Sequence, residues 1–235
     1  MDLKGAVAII TGASKGIGSE IAIALANEGV TVVLAARNSE SLMSVQSKIE
    51  NQGGTARVIT TDVTSEHSVK NLAVETIKHF GKIDILINNA GVGVYTNVID
   101  MKTADYEAMM NVNLKGVFLC SREVLPAMIK QKRGEIINIA SLAGKNSFAG
   151  GSVYSATKWG LIGFGRSLML EVRDHNIRVV TICPGSVNTH FADKESDRPE
   201  IIQPEDVAHT VLFDLTMPNR VNVSEIDIRP TIKPR

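Results

Sequence analysis

Ala6-Val7-Ala8-Ile9-Ile10-Thr11 is a short run with apolar residues at five positions in succession, and it breaks directly into Gly12-Ala13-Ser14-Lys15-Gly16-Ile17-Gly18. From there Ile17, Ile21, Ala24 and Leu25 recur at helical spacing to about Glu28. A strand without polar alternation is buried on both faces, which a parallel sheet covered by helices provides. The same unit repeats along the chain. Strands are expected at Val30–Ala35, Arg57–Thr60, Ile83–Ile87, Glu135–Ala140 and Ile177–Ile182. Helical patterns lie between them, at about Glu40–Asn51, Ser65–Phe80, Thr103–Lys130 and Gly150–His175. A helix over Gln203–Leu215 and an alternating strand over Val221–Ile228, near an edge or interface, close the series. Strand–helix alternation of this kind predicts one α/β domain over 1–235.

Composition narrows the classes of function. Lys plus Arg equals Asp plus Glu at 25 each, so no net charge draws the chain to nucleic acid or to an anionic membrane. No apolar run approaches a membrane span, and Met1-Asp2-Leu3-Lys4 lacks the charged start and long apolar core of a signal peptide; a soluble, cytoplasmic protein is expected. Cys120 and Cys183 are far apart and fit neither a disulfide framework nor a metal spacing, so no metal is expected.

Three places carry chemistry. Strand, glycine turn and helix in succession allow backbone amides at a helix N-terminus to hold a pyrophosphate, or form a structural turn alone. The second strand ends Ala35-Ala36-Arg37-Asn38, with no acid until Glu40. An acid there would bond a ribose 2′-hydroxyl; Arg37 with Lys15 instead suits a 2′-phosphate, unless both are ordinary surface cations. Asp62 could receive an adenine amino group or contribute to the turn that follows. Third, Tyr154 and Lys158 stand four apart at the start of a helix and project together. An ammonium beside a phenol favours the phenolate, which makes the pair a candidate proton donor and acceptor. Ser141 ends the fifth strand and sets a hydroxyl at the mouth of the sheet. Asn111-Val112-Asn113-Leu114-Lys115-Gly116 runs against helix propensity in the middle of a helical pattern, which predicts a local break or close approach.

Taken in order, Thr11-Gly12-x-x-x-Gly16-x-Gly18, Asp62-Val63, Asn88-Asn89-Ala90-Gly91, Asn113, Ser141, Tyr154-x-x-x-Lys158 and Pro184-Gly185 with Thr189 resemble the short-chain dehydrogenase/reductase family across nearly the whole chain. The resemblance implies a doubly wound parallel sheet (Rossmann fold) of about seven strands with helices on both faces. It implies an NADP(H)-dependent oxidoreductase acting between a carbonyl and a secondary alcohol. Tyr154 would be the acid and base, Ser141 would hydrogen-bond the substrate oxygen, Lys158 would depress the tyrosine and hold the nicotinamide ribose, and Asn113 would hold a relay water. Cofactor contacts are implied at Gly12, Ser14, Lys15, Gly16, Ile17, Gly18, Arg37, Asp62, Val63, Asn89, Ala90, Gly91, Tyr154, Lys158, Pro184, Gly185, Val187 and Thr189.

The resemblance points first to 3-oxoacyl thioesters as substrates and so to an acyl carrier protein as a candidate partner; Lys130, Lys132 and Arg133 are the dense basic candidates for its dock, unless they are ordinary solvated surface cations. The alternatives are a small ketone or 3-hydroxy acid dehydrogenase and, from another class, a non-catalytic NADP(H)-binding sensor or scaffold. A homo-oligomer is implied, tetramer before dimer. The chain departs from many relatives in ending Arg229-Pro230-Thr231-Ile232-Lys233-Pro234-Arg235 without glycines, in a short segment between Thr189 and Pro204, and in Asn188. The polar stretch from Phe191 to Pro199 reads as a lid or a surface loop.

Overall fold

The structure, a computed structural model, describes residues 2–189, 191 and 198–231. Seven parallel strands form one sheet: β1 (Val7–Thr11), β2 (Thr31–Ala36), β3 (Thr55–Thr60), β4 (Ile85–Asn88), β5 (Gly134–Ile139), β6 (Ile177–Pro184) and β7 (Glu225–Ile228). Their order across the sheet is β3-β2-β1-β4-β5-β6-β7. Alternate residues of each strand feed opposite layers. Ala8, Ile10, Val32, Leu34, Ile85, Ile87, Val180 and Ile182 pack under α1 (Gly16–Asn27), α2 (Ser39–Asn51) and α7 (Pro204–Leu215). Val7, Ile9, Val33, Leu86, Ile136 and Val179 pack on the other face. That face is covered by α3 (Glu66–Phe80), α5 (Gly116–Gln131) and α6 (Ser152–Val172). Burial of both faces explains why the central strands read as unbroken apolar runs.

Helix ends follow the chemistry of their sequence. Asn38 caps α2 by accepting from the Ser41 amide, Ser65 caps α3 by accepting from Ser68, and α3 stops at Gly81 in the left-handed region. The predicted break in the long helical region is a single wider turn over Asn111–Lys115, between α4 (Thr103–Met110) and α5. Such turns interrupt the hydrogen-bond ladder and often occur at functional positions. The last strand is shorter than its alternation suggests. It begins at Glu225; upstream, the carbonyl of Val221 accepts from the Arg178 guanidinium at 3.1 Å.

The amino edge of the sheet is structural. Buried Asp84 accepts from the Val7 amide at 2.9 Å and pairs with Lys82 at 2.9 Å and Arg133 at 3.3 Å. Beside it, the Arg178 guanidinium grips the buried Glu135 carboxylate, and the carboxyl of Asp214 on α7 faces Glu135. Lys130, Lys132 and Arg133 precede β5 and so stand at this edge, one strand length (roughly 20 Å) from Ser141.

Candidate active site

Because all seven strands run the same way, the residues that follow their carboxyl ends gather on one edge. β1 leads into Gly12–Gly18, β2 into Arg37, β3 into Asp62 and Val63, β4 into Asn89–Gly91, β5 into Ser141 and β6 into Pro184–Thr189. Strand order reverses between β1 and β4, the position at which open sheets bind ligands.

The glycine turn is pressed against the end of β4. Gly12 and Gly16 have φ of +67° and +61°, conformations that glycine adopts without strain. A Cβ on Gly12 would lie 2.9 Å from Ala90 Cα, and one on Gly18 would collide with the Gly12 carbonyl and the Asn89 amide. Asn89 Nδ2 donates to the carbonyls of Thr11 (3.0 Å) and Gly12 (3.2 Å), while Thr11 Oγ1 accepts from the amides of Asn89 and Ala90. Helix α1 then starts at Gly16 with no side chain capping it and no acid in its first turn. Among the described residues of its own first turn, no carboxylate meets its first N–H groups or the positive end of its dipole. Backbone donors, missing Cβ atoms and no competing acid fit a dinucleotide pyrophosphate.

Around this cradle, Ser14 and Ile17 are half-buried, whereas Lys15 and Arg37 are exposed. Asp62 Oδ1 accepts from the amide (2.9 Å) and hydroxyl (2.8 Å) of Thr64. These bonds, with Arg37 nearby, hold the Asp62 carboxyl below the usual range. The turn role of Asp62 is thus observed. Val63 packs against Gly116, where an added Cβ would meet its side chain at 3.0 Å. Thr189 comes over the cradle, 3.3 Å from where a Cβ on Gly16 would stand. Val187 bridges to Ile202, and Asn188 is turned away from the cleft: its Nδ2 donates to Gln203 at 2.9 Å and its Oδ1 accepts from the Arg198 amide at 3.3 Å. Most of the stretch read as a lid or surface loop lies outside the described residues.

The catalytic candidates converge. Tyr154 and Lys158 sit on one face of α6 and are both buried. The hydroxyls of Ser141 and Tyr95 both lie beside the phenol oxygen of Tyr154. Burial drives the Tyr154 phenol well above its ordinary value; Ser141 is the group that pulls it back. Lys158 Nζ lies 5.8 Å from the Tyr154 ring centroid and donates to the Ile139 carbonyl at 3.1 Å. Burial brings it down to about 8. The expected depression of Tyr154 by Lys158 is not seen in this geometry, because desolvation pushes both groups toward their neutral forms.

Asn113 is fully buried within the wider turn. Its Oδ1 accepts from the Val92 amide and its Nδ2 donates to the Val92 carbonyl, each at 2.8 Å, and to Thr157 Oγ1 at 3.1 Å. Thr157 in turn donates to the Tyr154 carbonyl at 2.7 Å. A Cβ on Gly91 would stand 3.6 Å from Asn113 Oδ1 and 3.9 Å from Lys158 Nζ, so these three groups surround one small space. Sequence reasoning overlooked Thr157, Tyr95 and Phe191. Tyr95 lies on an irregular segment, where helical spacing gives no signal.

Comparison with known proteins agrees with this geometry. The sequence model of the short chain dehydrogenases matches residues 6–200. An uncharacterized oxidoreductase of Staphylococcus aureus (strain USA300) is 38% identical over 226 residues, covering 95% of this chain and 96% of that protein. One from Staphylococcus saprophyticus is 37% identical over 232 residues, covering 98% and 99%. Among solved structures, a metagenomic short-chain oxidoreductase in complex with NADP superposes with a TM-score of 0.89 at 40% identity, over 99% of this chain and 100% of that one. The closed form of a serine dehydrogenase complexed with NADP+ gives 0.91 at 29% identity, over 97% and 96%.

Proposed function

Since this chain belongs to the short chain dehydrogenase family, we propose that it is an NADP(H)-dependent enzyme interconverting a carbonyl and a secondary alcohol. The observation that carries the reading is the convergence of the Ser141 and Tyr154 hydroxyls, with Lys158 on the same helix face, beside a glycine cradle. NADPH, when bound, supplies the hydride. The chain supplies the rest. Ser141 hydrogen-bonds the substrate oxygen; Tyr154 gives it a proton in reduction and takes one back in oxidation. Lys158 holds the nicotinamide ribose and returns the proton through the space it shares with Gly91 and Asn113. Hydroxyls fixed before the reaction stabilise the developing alkoxide without reorganising.

Gly12, Gly16 and Gly18 admit the pyrophosphate, Asn89 to Gly91 and Asp62 with Val63 flank the adenosine, and Pro184 to Thr189 reach the nicotinamide. Preference for NADP(H) over NAD(H) rests on Lys15 and Arg37, which take the 2′-phosphate, and gains support from the NADP held by the metagenomic relative. As substrate, a 3-oxoacyl thioester remains the first reading. A small ketone or hydroxy acid is the second, favoured by the likeness to a serine dehydrogenase. The proposed homo-oligomer, tetramer before dimer, is supported by Phe118, Trp159 and Leu170, apolar side chains left exposed on α5 and α6. A cytoplasmic location is supported by composition. The test is the initial rate of NADPH oxidation with an acetoacetyl thioester beside free acetoacetate and a small diketone. Turnover of at least one carbonyl is expected, and tight NADPH binding without turnover of any would leave only the sensor reading.

A further inference from the structure

The catalytic tyrosine is enclosed by aromatic rings from three separate segments. Tyr95, between β4 and α4, meets Tyr154 edge to face at 5.4 Å and 87°. Phe148, between Ser141 and α6, meets the far side of Tyr95 at 5.6 Å and 72°. Phe191 lies 5.8 Å from Tyr154 on another side. Two of these rings rest on glycines that leave them room. A Cβ on Gly151 would strike the Phe148 ring, and one on Gly93 would stand 2.6 Å from the Phe191 ring. Phe148 nevertheless keeps 45% of its surface exposed, so the row ends in a ring open to solution.

Position relative to the reacting oxygen matters as much as composition. Tyr95 meets Tyr154 edge to face with its hydroxyl beside the phenol oxygen, so it stands next to the place that a substrate carbonyl oxygen must take to receive the Tyr154 proton. Whatever is bonded to the carbonyl carbon on this side comes against the Tyr95 ring, with Phe148 beyond it. Charge is sparse on the described segments that carry Tyr95 and Phe148. In the segments 92–99 and 141–153 the single charged residue is Lys145, and its ammonium is held 2.6 Å from both Glu225 and Asp227 on β7. Lys158 is buried with its Nζ on a backbone carbonyl. A carboxylate placed against Tyr95 and Phe148 would lose hydration without gaining a counter-ion from these described segments.

We propose that Tyr95 and Phe148 form an apolar subsite beside Tyr154 that selects uncharged carbonyl compounds bearing a flat apolar group, such as aryl ketones and aryl ketoesters, over oxo-acids. Tyr95 is the specificity-determining residue, through its ring. The inference rests on the carbonyl-reduction reading and narrows its substrate class. It admits a thioester, which is neutral beside the reacting carbonyl, and turns away from free hydroxy acids.

Four compounds separate charge from shape: methyl benzoylformate, benzoylformate, methyl pyruvate and pyruvate. With the NADPH-loaded protein, kcat/KM is expected to be at least about tenfold higher for each ester than for its acid, and about tenfold higher for the aryl ester than for methyl pyruvate. Tyr95→Ala should reduce the aryl-over-methyl ratio at least fivefold, chiefly through KM, while Tyr95→Phe keeps the ratio because it keeps the ring (about the size of effect one apolar contact gives). Phe148→Ala, at a half-exposed position, tests the same ratio should Tyr95→Ala fail to fold. Calorimetric titration of the NADP+-loaded protein with methyl benzoylformate and benzoylformate reads binding without turnover. Ester-selective binding with no NADPH oxidation would overturn the enzymatic reading and keep the subsite. Turnover in which acids match esters, or in which the aryl ratio survives both alanine variants, would overturn the subsite and keep the enzyme.

Discussion

Tyr154 is a phenol held neutral by burial, with the Ser141 and Tyr95 hydroxyls beside it. A proton donor in that state suits reduction, where the phenol gives its proton to an oxygen that is gaining charge. Tyr154→Phe is expected to lower kcat by about 10²–10⁴-fold, the range of a positioned general acid, with the NADPH dissociation constant unchanged within about twofold. Stopped-flow turnover and a fluorescence titration measure the two quantities, and retained turnover would remove Tyr154 from its role. Arg37 sits at the surface after β2, close enough to Asp62 to lower that carboxyl. Replacing it by alanine should weaken NADPH about tenfold, the worth of a charge-assisted hydrogen bond, and leave NADH nearly unaffected. Equal losses for both cofactors would end the 2′-phosphate assignment.

Among the elements, the turn between β1 and α1 is the one with least latitude. Its glycines serve two purposes: positive φ at Gly12 and Gly16, and close backbone approach at Gly18. A methyl group on Gly18 has the Gly12 carbonyl and the Asn89 side chain in its path, and Asn89 also ties β4 to the turn. Gly18→Ala should therefore cost about 1–3 kcal/mol, as overpacking does, and weaken NADPH in parallel. A urea midpoint equal to that of the parent would show that the turn yields. The wider turn at Asn111–Lys115 is of the same kind. It lets Asn113 leave the helical ladder and hold Val92, so one residue links the segment carrying Tyr95 to Thr157 on the catalytic helix.

Across the whole molecule the two edges of the sheet divide the work. Ligand-binding groups occupy the carboxyl edge, and buried charges anchor the amino edge. There Glu135 and Asp214 face each other with one guanidinium, Arg178, between the strands and α7. Desolvation first, and then Asp214, raise the Glu135 carboxyl well above its ordinary 4.5, so the folded chain keeps a proton that the unfolded chain releases. Stability from this group is fully present below the ordinary carboxylate range and is lost as pH rises through the raised value, by at most about 1.4 kcal/mol per pH unit. Glu135→Gln, which resembles the protonated form, should flatten the fall in Tm between pH 6 and 9 by about 3 °C per unit. Parallel slopes for parent and variant in thermal melts would show that no proton is held there.

Strand and helix placement was readable because apolar runs and helical spacing are local patterns, and because parallel strands buried on both faces leave a plain mark. The glycine turn, Ser141 and the Tyr154–Lys158 pair were readable for a similar reason: each depends on neighbours a few residues away. What the tertiary structure decided depends on groups that meet across the chain. Tyr95 reaches Tyr154 from 59 residues away in sequence, Asp214 meets Glu135 from 79, and Lys158 turns to Ile139 rather than to the phenol. Spacing tells which side chains share a face of one helix; it does not tell what is packed against that face. Desolvation, the largest influence on Tyr154, Lys158 and Glu135, exists only once distant segments have closed around them.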